Sequence, residues 1–415
     1  MRTVDLVIIG GGSAGLSAAV GARKQGVEDI LVLERSPYLG GILRQCIHNG
    51  FGVHKYKEDL TGVEFAKRIA DEARALNITC MCETFALSIS PEKVVTAMNP
   101  SSGLFTIQAR AIILAMGCRE RSRGALMIPG SRCAGVITAG TAQRYLNLEG
   151  YLPGKRIVIL GSGDIGLIMA RQFTVEGAKV ERVVEIMPYS SGLARNISQC
   201  IEDFDIPISY SSTVTQIKGH GRVSSVVVSK VDEKRRPIPG TEFEIPCDTL
   251  LISAGLIPEN ELSKSAGIEL SPVTKGAVVD DYLMTSLPGV FSCGNVLHVH
   301  DLVDHVSAEG TQAGANAARY LRGEVETSET VPVESGFGVN GAVPQKVRRA
   351  GTGKVDFMFR PRDKFPACRI CVDVDGVCAA TYHRPVLTPG EMCSFSVDRS
   401  VLAKAKEKIA VRVEV

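Results

Sequence analysis

Two stretches of this chain align without a gap at an offset of 151 residues. The first reads Leu6-Val-Ile-Ile-Gly10-Gly-Gly12-Ser-Ala-Gly15 and runs on to Glu34. The second reads Ile157-Val-Ile-Leu-Gly161-Ser-Gly163-Asp-Ile-Gly166 and runs on to Glu185. Ala19 and Gly26 recur as Ala170 and Gly177 at the same offset. Each copy has the form of a buried parallel strand, a tight glycine turn, a helix and a second strand that ends in an acid. Gly10 and Gly161 make the turn. Gly12 and Gly163 let a pyrophosphate approach the backbone, and Gly15 and Gly166 let the helix pack on its strand. The helix N-terminus offers free N–H groups to phosphate, and the terminal acid offers oxygens to ribose hydroxyls. Two such units predict two dinucleotides and electron transfer between them.

Composition narrows the class. The 415 residues suffice for two or three domains with their own cores. Forty-seven basic and 45 acidic residues nearly balance, so no basic surface predicts nucleic-acid or anionic-membrane binding. No apolar run approaches a membrane span, and the apolar run at residues 4–9 is a strand rather than a signal peptide, so a cytoplasmic protein without direct membrane insertion is expected. Twelve cysteines in such a chain are expected to be reduced thiols.

The predicted fold is α/β, with two Rossmann-like dinucleotide-binding domains, one inserted in the other, and a small C-terminal β-rich domain. The first domain is assigned to residues 1–120 and 281–325, the inserted one to 121–280 and the β-rich one to 331–415. Alternating residues predict a β-meander over 85–110 and another over 214–245. Each meander precedes a buried strand entering a glycine turn, at Gly117 and at Gly255. The chain returns through Gly294-Asn295 to a helix over 307–321. The polar 323–333 stretch reads as a linker. Five strands are expected after residue 350.

This organisation resembles the two-dinucleotide flavoproteins that include the pyridine nucleotide–disulfide reductases. Several stretches are also similar to a narrower group: Gly40-Gly-Ile-Leu-Arg-Gln-Cys46-Ile-His48, Val184-Glu-Ile-Met-Pro188, Ser191-Gly-Leu-Ala-Arg-Asn196 and Gly294-Asn-Val-Leu-His-Val-His300-Asp-Leu-Val-Asp304. That group holds the FAD/NAD-binding oxidoreductase found with glycerol-3-phosphate dehydrogenase, and subunits of opine oxidases and hydrogen cyanide synthase. The resemblance covers most of the chain and is weakest beyond residue 350. It implies FAD on Gly10, Gly12, Ser13, Ala14, Gly15, Glu34, Arg35, Gly41, Gly117, Gly294 and Asn295. It implies NAD on Gly161, Gly163, Asp164, Ile165, Gly166, Glu185 and Gly255. Asn295 replaces the Asp most relatives carry, and keeps an acceptor oxygen without the charge. Glu185 favours NADH because a carboxylate repels a 2′-phosphate. Ile168 stands where relatives often have a Glu near the nicotinamide.

The resemblance also implies partners: a second dehydrogenase subunit, glycerol-3-phosphate dehydrogenase-like, and an iron–sulfur protein. Disulfide reductases carry a cysteine pair beside the flavin, whereas the segment just after Gly40-Gly41 holds only Cys46. A pair just before the second unit, of the thioredoxin reductase kind, is also missing, with Cys133 isolated. The expected function is therefore an FAD-dependent oxidoreductase passing electrons between NADH and a partner or external acceptor without a dithiol. Two alternatives stand beside it: a self-contained NADH oxidase using Cys46, and a non-catalytic, flavin-bearing, nucleotide-sensing subunit. Cys46, His48 and His300 are the candidate catalytic residues. His298-x-His300 could face a metal, but a loop with Asp301 and Asp304 as capping or hydrogen-bonding groups is the expectation, so no metal is predicted. Cys368-x-x-Cys371 lies in a strand pattern that points the two thiols to opposite faces, so Cys368, Cys371, Cys378 and Cys393 are expected to be packed thiols.

Overall fold

The apolar runs that open the two repeats are buried parallel strands. In the computed structural model, which describes residues 2–325 and 329–415, strand Arg2–Ile9 lies between Ile30–Leu33 and Gly103–Leu114. Thr79–Met81 extends the sheet beyond Ile30–Leu33, and Val290–Ser292 pairs with the end of Gly103–Leu114. The Gly103–Leu114 strand serves two purposes. Its first half pairs antiparallel with Val94–Asn99, which pairs with Phe85–Ile89, giving the expected meander. Its second half is a parallel core strand of the nucleotide-binding sheet.

Helix Ser13–Lys24 packs against helix Val303–Leu321 through small residues. A Cβ on Gly310 would lie 2.3 Å from the Ala14 carbonyl oxygen, and one on Gly314 would lie 2.0 Å from that of Ala18. Only glycine permits this approach. The returning helix begins at Val303, four residues earlier than the sequence pattern suggested.

The chain divides into two compact units, one formed by Met1–Cys118 with Pro258–Val415 and the other by Arg119–Ile257. The second unit carries a five-stranded parallel sheet in the order Val136–Thr138, Thr249–Ile252, Arg156–Leu160, Lys179–Val184, Ile208–Ser209. Its meander is Ser212–His220, Arg222–Lys230 and Phe243–Pro246. Residues 258–280 cluster with the first unit, whereas the sequence division placed them in the inserted segment. The reason is apolar packing: Ala266, Ile268, Ala277 and Val279 belong to the first unit's core.

Residues beyond 330 build two sheets of five and three strands around a core of their own, including Phe357, Phe359, Ile370 and Val411. All five strands expected after residue 350 are present. Three earlier ones, Thr330–Ser335, Val339–Val343 and Lys346–Arg348, were not anticipated. The first of them replaces the end of the expected 323–333 linker, of which residues 326–328 lie outside those described. Cys368 and Cys371 share strand Phe365–Val374. Cys368 joins the core, while Cys371 donates to Glu414 on the other face. Among the described residues no helix is long and apolar enough to cross a membrane.

Candidate functional site

At the first glycine turn Gly10 has φ +112°, and a Cβ there would lie 2.3 Å from the Ala115 carbonyl oxygen. A Cβ on Gly15 would lie 1.9 Å from the Gly10 oxygen, so the helix rests directly on the turn. Gly12 differs. Its backbone is ordinary, φ −82°, and a Cβ would meet only the Gly41 Cα, at 3.9 Å. The space above Gly12 is thus open, bordered by Gly41, as a pyrophosphate requires. The second turn repeats this division. Cβ atoms on Gly161 and Gly166 would strike the Ser253 and Gly161 carbonyl oxygens at 2.1 and 2.5 Å, whereas one on Gly163 would approach only Ser191 Oγ, at 3.7 Å.

The helix starts reinforce the reading. Gly12 and Gly163 are the N-caps of Ser13–Lys24 and Asp164–Val175, and neither helix has a side-chain cap. Helix Gly62–Ala75, by contrast, has a complete Thr61/Glu64 capping box. The first N–H groups of the two repeat helices are therefore available to an anion. Ser13 and Ala14 form the first turn of one, Asp164 and Ile165 that of the other.

The two acids occupy matching positions. Glu34 accepts from Gly11 N at 2.7 Å and from Ser36 N at 2.7 Å. Glu185 accepts from Ser162 N at 2.8 Å, Ser162 Oγ at 2.6 Å and Met187 N at 2.8 Å. Both carboxylates are buried and lock the glycine loop to the end of the second strand. A carboxylate has about four acceptor sites, so each keeps capacity for a ribose hydroxyl. Arg35 is exposed beside Glu34. Asp164 turns its carboxylate aside, accepting from Leu193 N at 2.8 Å and Asn196 Nδ2 at 2.6 Å. Ile165 and Ile168 are half-buried against the second unit's core. Gly117 and Gly255 have the left-handed backbone their turns require, φ +74° and +100°.

The late turn is held by a group that sequence reasoning missed. Gly294, φ +74°, donates its N–H to Glu309 Oε2 at 2.5 Å. Glu309 also meets His298 Nε2 at 2.6 Å through Oε1 and His300 Nε2 at 3.2 Å through Oε2. Burial alone would raise the Glu309 carboxyl, but the two imidazoles outweigh it and hold it well below the ordinary value. Burial lowers the His300 imidazole from its usual value, an effect partly offset by Glu309. Asn295 Oδ1 accepts from His300 N at 3.0 Å, and its Nδ2 donates toward Cys118 Sγ at 3.6 Å. The only trace of Glu309 in the sequence is one acid within a helix of small residues.

Asp301 and Asp304 act as hydrogen-bonding groups rather than as a cap, since the N-cap is Leu302. Asp304 accepts from Gly52 N, His54 N and Lys55 N at 3.0, 3.1 and 2.7 Å. Asp301 accepts from Arg360 Nη2 and Met392 N, both at 2.5 Å, which ties the histidine stretch to the C-terminal sheets. His48 packs on Phe51 with ring centroids 5.1 Å apart. Cys46 is buried, and burial pushes its thiol up to about 12. A thiol reacts as its thiolate, and this burial disfavours that form of Cys46.

Residues 4–333 match the family model described as pyridine nucleotide-disulphide oxidoreductase. An opine oxidase subunit of Agrobacterium tumefaciens is 24% identical over 88% of this chain and 74% of its own length. Hydrogen cyanide synthase subunit HcnB of Pseudomonas aeruginosa is 26% identical over 75% of this chain and 68% of its own. Thioredoxin reductase from T. acidophilum superposes with a TM-score of 0.64 at 26% identity, over 77% of this chain and 99% of that one. The chain belongs to the pyridine nucleotide-disulphide oxidoreductase family, whose members bind FAD and NAD(P), and is an FAD-dependent NAD(P)H oxidoreductase.

Proposed function

We propose that this chain is the NADH-linked FAD subunit of a multi-subunit dehydrogenase, and that it exchanges electrons with a partner subunit or external acceptor without a redox dithiol. The observation that carries the NADH preference is Glu185. Its buried carboxylate is fixed by three hydrogen bonds at the end of the second strand. There it would accept from an adenosine ribose and repel a 2′-phosphate. Gly161, Gly163, Ile165 and Gly166 would cradle that nucleotide's pyrophosphate, with Asp164 positioning the neighbouring loop. Gly10, Gly12, Ser13, Ala14, Gly15 and Gly41 would cradle the FAD pyrophosphate, with Glu34 at its ribose and Gly294-Asn295 at the late turn. Bound FAD accepts a hydride and can release electrons singly, which suits a chain with a lone cysteine, Cys46, in the segment that follows Gly40-Gly41.

The partner assignment draws on relatives. Two similar proteins are named as subunits, one of opine oxidase and one of hydrogen cyanide synthase. The resemblance of several motifs to the oxidoreductase that accompanies glycerol-3-phosphate dehydrogenase favours a dehydrogenase subunit of that kind as partner, with an iron–sulfur protein as onward carrier.

Anaerobic titration of the FAD-loaded protein with NADH and NADPH tests the reading. NADH should bleach the flavin rapidly and NADPH should not. Equal rates would overturn the NADH preference. No bleaching by either would overturn NADH linkage and favour the second reading, a subunit that binds nucleotide without oxidising it, which draws on Ile168 at the nicotinamide end.

A further inference from the structure

Four of the seven histidines lead from the surface to the late turn. His54 is exposed, and its ring stacks on that of half-buried His305 at 6.1 Å between centroids. His305 stands in the first turn of helix Val303–Leu321, five residues after His300. His300 and His298 are buried, with centroids 4.3 Å apart, and both aim Nε2 at the Glu309 carboxylate.

The hydrogen-bond pattern fixes the tautomers. An ionised carboxylate only accepts, so both Nε2 atoms carry the proton. That leaves the Nδ1 atoms of His298 and His300 as bare acceptors, buried and without a partner among the described residues. His305 Nδ1 is likewise buried without a partner among the described residues. The donor atoms of His298, His300 and Glu309 lie within 4.8 Å of one another. Metal-bound imidazoles, however, nearly always donate their second ring N–H to an acceptor, and neither Nδ1 has one here. The set is built to take a proton.

We propose that His298, His300 and Glu309 hold a proton for the FAD site, and that His305 and His54 carry it from solvent. The link to the site is the Gly294 N–H, which shares Glu309 with the two imidazoles. When an electron pair arrives there, one proton passes from water through His54 and His305 to His300 Nδ1. An N–H bond forms, and the resulting imidazolium stays paired with Glu309 through its Nε2–H. The proton leaves by the same route when the electrons depart. Nearby groups do not compete. Asp301 is paired with Arg360, Asp304 is bonded to three backbone N–H groups, and Lys55 donates to Ser307. Burial keeps the Cys293 thiol protonated. The inference rests on FAD binding and not on NADH as donor.

The test is the flavin midpoint potential against pH, measured with a chemical reductant on the FAD-loaded protein. Failure of NADH bleaching would then leave it untouched. With two electrons, each proton taken up contributes about 30 mV per pH unit. On the alkaline side of the reduced flavin's own ionisation the flavin takes one proton and the histidine set a second, so wild type should show about 59 mV per unit, and Glu309→Gln, left with the flavin's proton alone, about 30 mV. Should Glu309→Gln lose its fold with the Gly294 bond, His300→Gln makes the same test. Equal slopes, or a wild-type slope of about 30 mV, overturn the proposal. So does a stoichiometric metal in the purified protein. His54→Ala should keep the slope but slow proton uptake, followed with an indicator dye, roughly tenfold. An unchanged rate overturns the route.

Discussion

Arg399 donates its guanidinium to Asp281 across 118 residues, and both side chains are buried. The neighbouring pair repeats the arrangement, with Arg348 held by Asp280 at 2.5 Å. Arg348 N also donates to Asp281 at 2.8 Å, and Arg399 reaches back to the Arg348 carbonyl at 2.9 Å. This network anchors the C-terminal sheets to the 280–285 turn of the nucleotide-binding fold. Breaking one partner of a buried pair leaves an uncompensated charge, at a cost of about 3–5 kcal/mol, whereas removing both can be nearly neutral. Arg399→Met should therefore lower the urea midpoint sharply, and adding Asp281→Asn should restore most of the loss. A double variant as unstable as the single one would show that packing rather than charge dominates.

The fingerprint glycines should separate into two kinds. Ala at Gly12 needs neither a strained backbone nor displaced atoms, because φ is −82° and the Cβ space is open. Gly12→Ala should fold within about 1 kcal/mol of wild type and yet lose FAD, seen as a several-fold lower flavin-to-protein ratio. Gly10→Ala and Gly15→Ala should lower stability, since their Cβ atoms meet backbone oxygens. The same split is expected in the second unit, with Gly163→Ala weakening NADH binding in a folded protein and Gly161→Ala destabilising it. Equal melting losses at all five would refute the distinction.

The division of labour among these glycines was legible because fixed spacing in a strand–turn–helix unit dictates it. Glu34 and Glu185 were legible for the same reason, and both meander insertions followed from alternation. What escaped depends on contacts distant in sequence. Glu309 lies within helix Val303–Leu321, and its role exists only because the helix brings it under Gly294. Asp301 could be named as a hydrogen-bonding group, but not that its partners would be Arg360 and Met392. Cys46 was expected as a possible redox thiol from its place after Gly41. Burial argues against that role, and burial is a property of the folded core.

Cys46 gives a chemical test. Its thiol is pushed up to about 12, so the thiolate is scarce at pH 8. The neutral thiol persists until the pH nears that value, and labelling becomes fast only there or on unfolding. Brief iodoacetamide treatment of the native protein at pH 8 should modify exposed Cys378 and spare Cys46, as read by peptide mass spectrometry. Cys46→Ser should leave re-oxidation of the flavin by air unchanged. Rapid labelling of Cys46, or loss of re-oxidation in the Ser variant, would revive the self-contained oxidase.

Asp164 sits in the first turn of the second fingerprint helix, where an extra negative charge should oppose a pyrophosphate. Its carboxylate nevertheless holds the Leu193 N–H and the Asn196 side chain, which keeps the 190–196 loop against the glycine turn. The two effects have opposite signs, and two variants separate them. Asp164→Asn retains an acceptor oxygen and removes the charge, so NADH should bind as well as before or more tightly, most clearly at low salt. Asp164→Ala removes both. Losing a hydrogen bond to a charged group costs about 1.5 kcal/mol, so the KM for NADH should rise about tenfold with little change in kcat. If both variants tighten binding equally, charge alone matters and the loop contributes nothing. If both weaken it equally, the negative charge itself serves the site.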